Sequence, residues 1–123
     1  MTRQRQGFLR IRGSREHIPL NQILWLEGDG NYTRIHLQHA SPALTAKTLT
    51  RWNEQLTTFI RANKGALVNP DNILTGVYLS SKEMWLTLTD GTKLPVSRRR
   101  IIYIKETLAP MSGKLIIKDQ PAQ

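Results

Sequence analysis

Apolar and polar positions alternate at period two along Tyr32-Thr33-Arg34-Ile35-His36-Leu37, which predicts a half-buried strand. The preceding Ile23-Leu24-Trp25-Leu26-Glu27 is apolar almost throughout, as a largely buried strand would be. Gly28-Asp29-Gly30-Asn31 between them is turn chemistry, so residues 23–37 read as a hairpin. Upstream, Phe8-Leu9-Arg10-Ile11-Arg12 predicts a first strand, Gly13–Glu16 a turn, and Ile18–Gln22 a short irregular connection. Downstream, Gln38–Pro42 reads as a loop and Ala43–Ala46 as a short strand. Leu49, Trp52 and Leu56 then fall at i, i+3 and i+7, the spacing of one helix face, so Thr48–Leu56 predicts a helix of about two turns.

The segment Phe59–Pro70 is apolar at both ends and polar in the middle, which suggests a strand, a polar kink and a buried stretch closed by proline. Asn72–Leu79 and Met84–Thr89 read as strands joined by a turn at Ser80–Glu83. Asp90-Gly91 is a strong short hairpin signal and returns the chain into Thr92–Val96. Ile101, Ile104 and Leu108 then mark a second helix, with Ser97 as its expected N-cap. Beyond Pro110, Lys114–Lys118 could add an edge strand. The expected fold is therefore a mostly β, antiparallel domain with two short helices. Its organisation is a basic lead-in over 1–7, one domain over 8–108 and a tail over 109–123.

Charge changes this picture. Eighteen Lys and Arg against nine Asp and Glu give a net charge of +9 over 123 residues, which implies an anionic partner or surface. The sharpest local anomaly is Arg98-Arg99-Arg100, three cations where a helix begins. A helix N-terminus carries the positive end of the macrodipole, so each is unfavourable there by about 0.3–1 kcal/mol. A polyanion turns that liability into a binding surface, because guanidinium forks and helix-opening amides then share one phosphate or base edge. With no cysteine, thiolate catalysis, disulfides and Cys-based zinc sites are excluded. No apolar run approaches the ~20 residues of a membrane span, and the expected setting is cytoplasmic.

Enzyme chemistry finds no purchase. His17, His36 and His39 are scattered, and Glu27, Asp29 and Asn31 lack the glycine and terminal glutamate of a calcium loop. Gly28-x-Gly30 lacks the third glycine and the following helix of a dinucleotide site. No nucleophile, base and orienting group can be named together, and nothing implies a catalytic residue, a metal or a cofactor.

Several phrases together resemble the LytTR-type DNA-binding domain, the output module of many bacterial response regulators of two-component systems. They are Ile23–Gly28 with Gly30-Asn31-Tyr32, Phe59–Lys64, Leu67-Val68-Asn69-Pro70 with Ile73, and Asp90-Gly91 through Leu94-Pro95-Val96-Ser97-Arg98. They occur in the family's order over about residues 8–108. The resemblance implies an elongated arrangement of small antiparallel sheets that places loops, not a recognition helix, into successive major grooves of direct-repeat sites. It puts Asn31 at the tip of a first DNA-facing loop with Tyr32 beside it, Lys64 after Asn63 in a second, and Arg98 in a third. Asn63 and Lys64 are interchangeable in that alignment. Arg61, Ser97, Arg99 and Arg100 become backbone-contact positions. No receiver domain precedes the matched stretch, so the resemblance supplies no phosphoacceptor aspartate.

The residue chemistry suits those roles. Arg pairs bidentately with guanine and Asn with adenine in the major groove, whereas Lys64 and the remaining arginines suit phosphates, which fix register. Bland readings stand beside them: a solvated charge run for Arg98–Arg100, a turn residue at positive φ for Asn31, and an ordinary surface lysine for Lys64. Asn69, between Val68 and Pro70, reads as a buried side chain satisfying turn amides. Trp25, Trp52 and Trp85 belong to the core or its margin. The expected function is sequence-specific recognition of double-stranded DNA in transcription regulation, with two copies, as a homodimer, on a repeated site. A single-stranded nucleic acid or RNA module is the alternative, and requires aromatics exposed on one sheet face. A basic adaptor for acidic proteins or lipid headgroups is a third class.

Overall fold

The computed structural model describes residues 7–11 and 17–118. Its centre is a five-stranded antiparallel sheet built from β3 (Ile23–Asp29), β4 (Tyr32–Leu37), β5 (Ala43–Thr45), β6 (Ile60–Asn63) and β7 (Ala66–Val68), in the order β5-β4-β3-β7-β6. A two-stranded sheet of β1 (Phe8–Arg10) and β2 (His17–Pro19) flanks it. The third sheet contains β8 (Ile73–Ser80), β9 (Glu83–Leu88), β10 (Lys93–Pro95) and β11 (Leu115–Ile117), in the order β10-β9-β8-β11. The helices are α1 (Leu49–Gln55) and α2 (Ile101–Leu108). The mostly β, largely antiparallel fold with two helices is the one expected.

Both faces of the central sheet are covered, which explains why β3 is apolar without alternation. Leu26, Ile35 and Leu67 pack with α1 residues Leu49 and Trp52 and with Leu9 of β1 in one core. Leu24, Ala66 and Val68 join Met84, Leu86 and Leu88 and α2 residues Ile101, Ile104 and Leu108 in a second. Adjacent residues of β7 thus serve different cores, as the strand's period of two requires. A bulge between Ile23 and Trp25 sets the register of β3 against β4. Trp52 is only 2% exposed, and its Nε1 donates to Thr45 Oγ1 at 3.1 Å, which satisfies the one polar atom it buries.

Gly76 on β8 has a packing role. A Cβ there would lie 2.5 Å from Leu108 Cδ1 and 3.2 Å from Leu86 Cδ2 and Met84 Cε, so the glycine leaves room that these buried side chains fill. Asn69 has the structural task expected. Its Oδ1 accepts from the Asp71 amide, and its Nδ2 donates to the carbonyls of Leu20 and Ile23, tying the turns at Leu20–Gln22 and Pro70–Asn72 together.

Several expectations are corrected. Ile18–Gln22 is not wholly irregular: His17–Pro19 pairs with Phe8–Arg10, and only Leu20–Gln22 forms a 3-10 turn. The first strand ends at Arg10, and the expected turn at Gly13–Glu16 lies outside the described residues. The Asp90-Gly91 hairpin uses a loop of three residues, because Leu88 and Thr92 face each other across it and only Gly91 takes positive φ, at 93°. The expected edge strand at Lys114–Lys118 exists as β11 but runs parallel to β8. Among the described residues, no helix is long and apolar enough to cross a membrane.

The largest local correction concerns Ser97. Its side chain makes no capping hydrogen bond. Instead its amide is spent on the Ala62 carbonyl and its own carbonyl accepts from the Arg100 amide at 2.8 Å. Arg98–Arg100 consequently form a 3-10 turn, with the α-helix beginning at Ile101. The arginines therefore precede the helix instead of filling its first turn.

Candidate nucleic-acid interface

Three loops meet on one side of the molecule through main-chain and side-chain bonds. The first is the two-residue turn Gly30-Asn31 joining β3 and β4, whose flanking residues Asp29 and Tyr32 are paired. Gly30 alone takes positive φ, at 62°, the signature of a type II′ hairpin turn. Asn31 has negative φ, so the turn-residue reading offered for it does not hold in that form. Its side chain is exposed, as is that of Tyr32.

The second loop, Lys64-Gly65 between β6 and β7, is attached to the first. The Gly28 amide donates to the Gly65 carbonyl at 3.0 Å. Within this loop Arg61 acts as a clasp, its Nε donating to the Asn63 carbonyl at 2.9 Å and its Nη2 to the Lys64 carbonyl at 2.7 Å. Asn63 Oδ1 accepts from the Gly65 amide at 2.8 Å. Lys64 is left projecting into solvent.

The third loop, Pro95–Arg100, is attached to the second. Asn63 Nδ2 donates to the Pro95 carbonyl at 2.6 Å, and the Ser97 amide donates to the Ala62 carbonyl at 2.9 Å. Asn63 thus holds two loops in register, while Lys64 is the exposed member of the pair. Arg98 and Arg99 are exposed, and Ser97 and Arg100 half-buried.

The electrostatics of this side are unbalanced. The ion pairs among the described residues all involve Glu27 or Asp29 on β3, where Arg34 and His36 meet them. None reaches Arg61 or the Arg98–Arg100 turn. Burial, and then the nearby charges of Arg100 and Arg99, pull the Arg61 guanidinium below the ordinary arginine range. Arg100 Nε is buried with no hydrogen-bond partner among the described residues. An orphaned buried donor is unfavourable by about 1–3 kcal/mol, and more when charged. Such an arrangement can hold an oxyanion, and its exposed forks can reach a base edge.

All nine expected positions, Asn31, Tyr32, Arg61, Asn63, Lys64, Ser97, Arg98, Arg99 and Arg100, belong to these loops or flank them. What sequence reasoning missed is the adhesive: the Gly28–Gly65 bond and the Pro95 carbonyl are main-chain features with no side-chain signature. The tryptophans form no stacking platform. Trp25 lies flat against His36, with centroids 4.5 Å apart, Trp52 is in the core, and the half-exposed Trp85 donates to Glu83. Among the described residues no group of His, Asp and Glu could hold a metal ion.

Comparison with known proteins gives a consistent answer. The family model described as the LytTr DNA-binding domain matches residues 13–109. A search of the curated proteins found no match. Among solved structures, the LytTr DNA-binding domain of a methyl-accepting/DNA response regulator from Bacillus cereus is similar, with a TM-score of 0.66 at 20% identity. The superposition covers 86% of this chain and 98% of that one.

Proposed function

The chain belongs to the LytTR family of DNA-binding domains, and on that premise we propose that it is a cytoplasmic transcriptional regulator that reads double-stranded DNA through the three linked loops. Asn31, Lys64 and Arg98 enter the major groove at successive positions. Arg98 pairs with a guanine and Asn31 with an adenine. Tyr32, Arg99, Arg100 and Ser97 contact the sugar-phosphate backbone and fix the register. Arg61 contributes its charge to the same backbone while its N–H groups shape the Lys64 loop. Asn63 sets the spacing between the second and third loops. Two copies occupy a repeated site, and a receiver-type input is the kind of partner such an output module serves.

The observation that carries this reading is the cation group of Arg61, Arg99 and Arg100, which no carboxylate among the described residues pairs, held beside exposed Arg98 and Lys64 by bonds running from β3 to the start of α2. A fold tolerates such self-repulsion where a polyanion relieves it. Burial of Trp25 and Trp52, which removes two of the three tryptophans from any stacking surface, weighs against the single-strand alternative.

Selection of bound fragments from a random duplex pool at physiological salt tests the proposal. An enriched short sequence, present twice at fixed spacing, is expected. Recovery without any enriched sequence, or preferential capture of RNA over duplex in direct competition, contradicts it.

A further inference from the structure

Away from the three loops, a cleft of about 730 Å³ opens between β1 and the β5–α1 junction. Arg10, Lys47 and Arg51 line it together with Ile11, Leu44 and Trp52, and among the described residues no acidic side chain does. One wall is the outer edge of β5, the terminal strand of the central sheet. Its partner β4 takes up one side of its main chain, and among the described residues no strand pairs with the other side, which presents amide and carbonyl groups. Leu44, in the middle of this strand, is 58% exposed.

The wall is also firmly built. Thr33 Oγ1 donates to the Lys47 carbonyl at 2.7 Å, and Thr48 caps α1 by accepting from the Arg51 amide. Lys47 Nζ lies 4.1 Å from the centroid of the Trp52 ring and donates to Gln55 Oε1 at 2.8 Å.

We infer that this cleft is a docking site for an acidic, extended segment of a partner protein, which adds to β5 as a sixth strand. A free strand edge recognises another main chain, and side chains at alternate positions supply specificity. Leu44 and Ile11 would receive the segment's apolar side chains, and Arg10, Lys47 and Arg51 its carboxylates. A sugar-phosphate chain can accept from the strand's amides but offers no donor to its carbonyls and no apolar side chain to the exposed leucine. A second copy of this chain is disfavoured by its net charge of +9.

The test uses the full chain and a seven-residue peptide alternating glutamate with valine, with a lysine-valine peptide as control. Binding is followed by fluorescence anisotropy, and the site by hydrogen exchange at individual amides. The glutamate peptide is expected to bind, slow exchange within Ala43–Thr45, and lose about tenfold in affinity with Arg51→Glu. Arg51 is exposed, so the variant should melt like the parent; Leu44→Lys gives a second disruption on a different wall residue. Equal binding of both peptides, no binding, or protection elsewhere overturns the inference. So does an Arg51→Glu protein that loses duplex affinity as strongly as Arg99→Ala, since the cleft would then belong to the nucleic-acid contact.

Discussion

Arg34 and Arg61 lie on strands of the same sheet and meet opposite electrostatic surroundings. Arg34 on β4 faces Glu27 at 3.9 Å and Asp29 at 3.5 Å, and His36 shares Glu27 at 2.9 Å. Arg61 on β6 faces main-chain carbonyls on one side and two further arginines on the other. The first region is neutralised from within the chain; in the second, no carboxylate among the described residues pairs with the arginines. A protein with nine Asp and Glu for eighteen Lys and Arg cannot pair them all, and among the described residues Arg61, Arg99 and Arg100 are unpaired cations set close together. Grouping raises the energy of the free protein and concentrates the potential that a polyanion meets. The lesson is that the two regions differ in how their charge is compensated and not in residue type, since arginine occurs in both.

The largest expected effect tests what supports the uncompensated side. Leu108→Ala removes a buried side chain that fixes α2 against Gly76, and should lower unfolding free energy by about 2–5 kcal/mol in urea titrations. A smaller loss would mean that the arginine turn is not anchored through α2.

The sign of the next effect separates the two regions. Arg100→Met removes an orphaned buried donor and one of two neighbouring charges that oppose Arg61. The free protein should gain about 1 kcal/mol in stability. Affinity for every duplex should fall, and the salt slope should shrink by about one unit. Asn63→Ala severs the link to Pro95 and the bond to the Gly65 amide, for about 1 kcal/mol each. Exchange at the Gly65 amide should quicken, reporting a loosened Lys64 loop.

The smallest effect belongs to the neutralised side. Arg34→Met should lower stability by about 0.2–1 kcal/mol, because its partners are 40–60% exposed and solvent screens the pairs. The loss should vanish near 1 M salt, where the Debye length is about 3 Å. If Arg34→Met stabilised the protein as Arg100→Met is expected to, the contrast between the two regions would be wrong.

Much of the fold was legible from pattern alone. The strand Tyr32–Leu37 appears with the bounds its alternation predicts, and α1 at Leu49–Gln55 falls within the Thr48–Leu56 helix that the spacing of Leu49, Trp52 and Leu56 predicts. Elements of three residues were harder. His17–Pro19 is too short to display a period, and its pairing with Phe8–Arg10 depends on chain closure. The direction of β11 was invisible because periodicity carries no information about orientation. A 3-10 turn and an α-helix share the same opening chemistry, so Ser97 sits at the cap position of the turn Arg98–Arg100 without its hydroxyl accepting a bond, and the α-helix starts only at Ile101.

The candidate site was legible as a set of residues but not as an assembly. Arg61 and Asn63 look like contact residues in sequence, whereas their hydrogen bonds are turned inward onto neighbouring loops. Nothing local marks a side chain that will find its partner thirty-two positions away. The cleft beside β5 was hidden for the same reason, being assembled from strand, loop and helix residues far apart in the chain.

The most direct measurement compares binding of the selected duplex and a scrambled duplex to the parent and to Arg98→Ala at one fixed salt concentration. Removing a bidentate base contact should cost the variant about 1–3 kcal/mol on the selected duplex and far less on the scrambled one, relaxing preference at a single base pair. An Arg98→Ala protein that retained the parent's full discrimination would contradict the assignment of that loop to base reading.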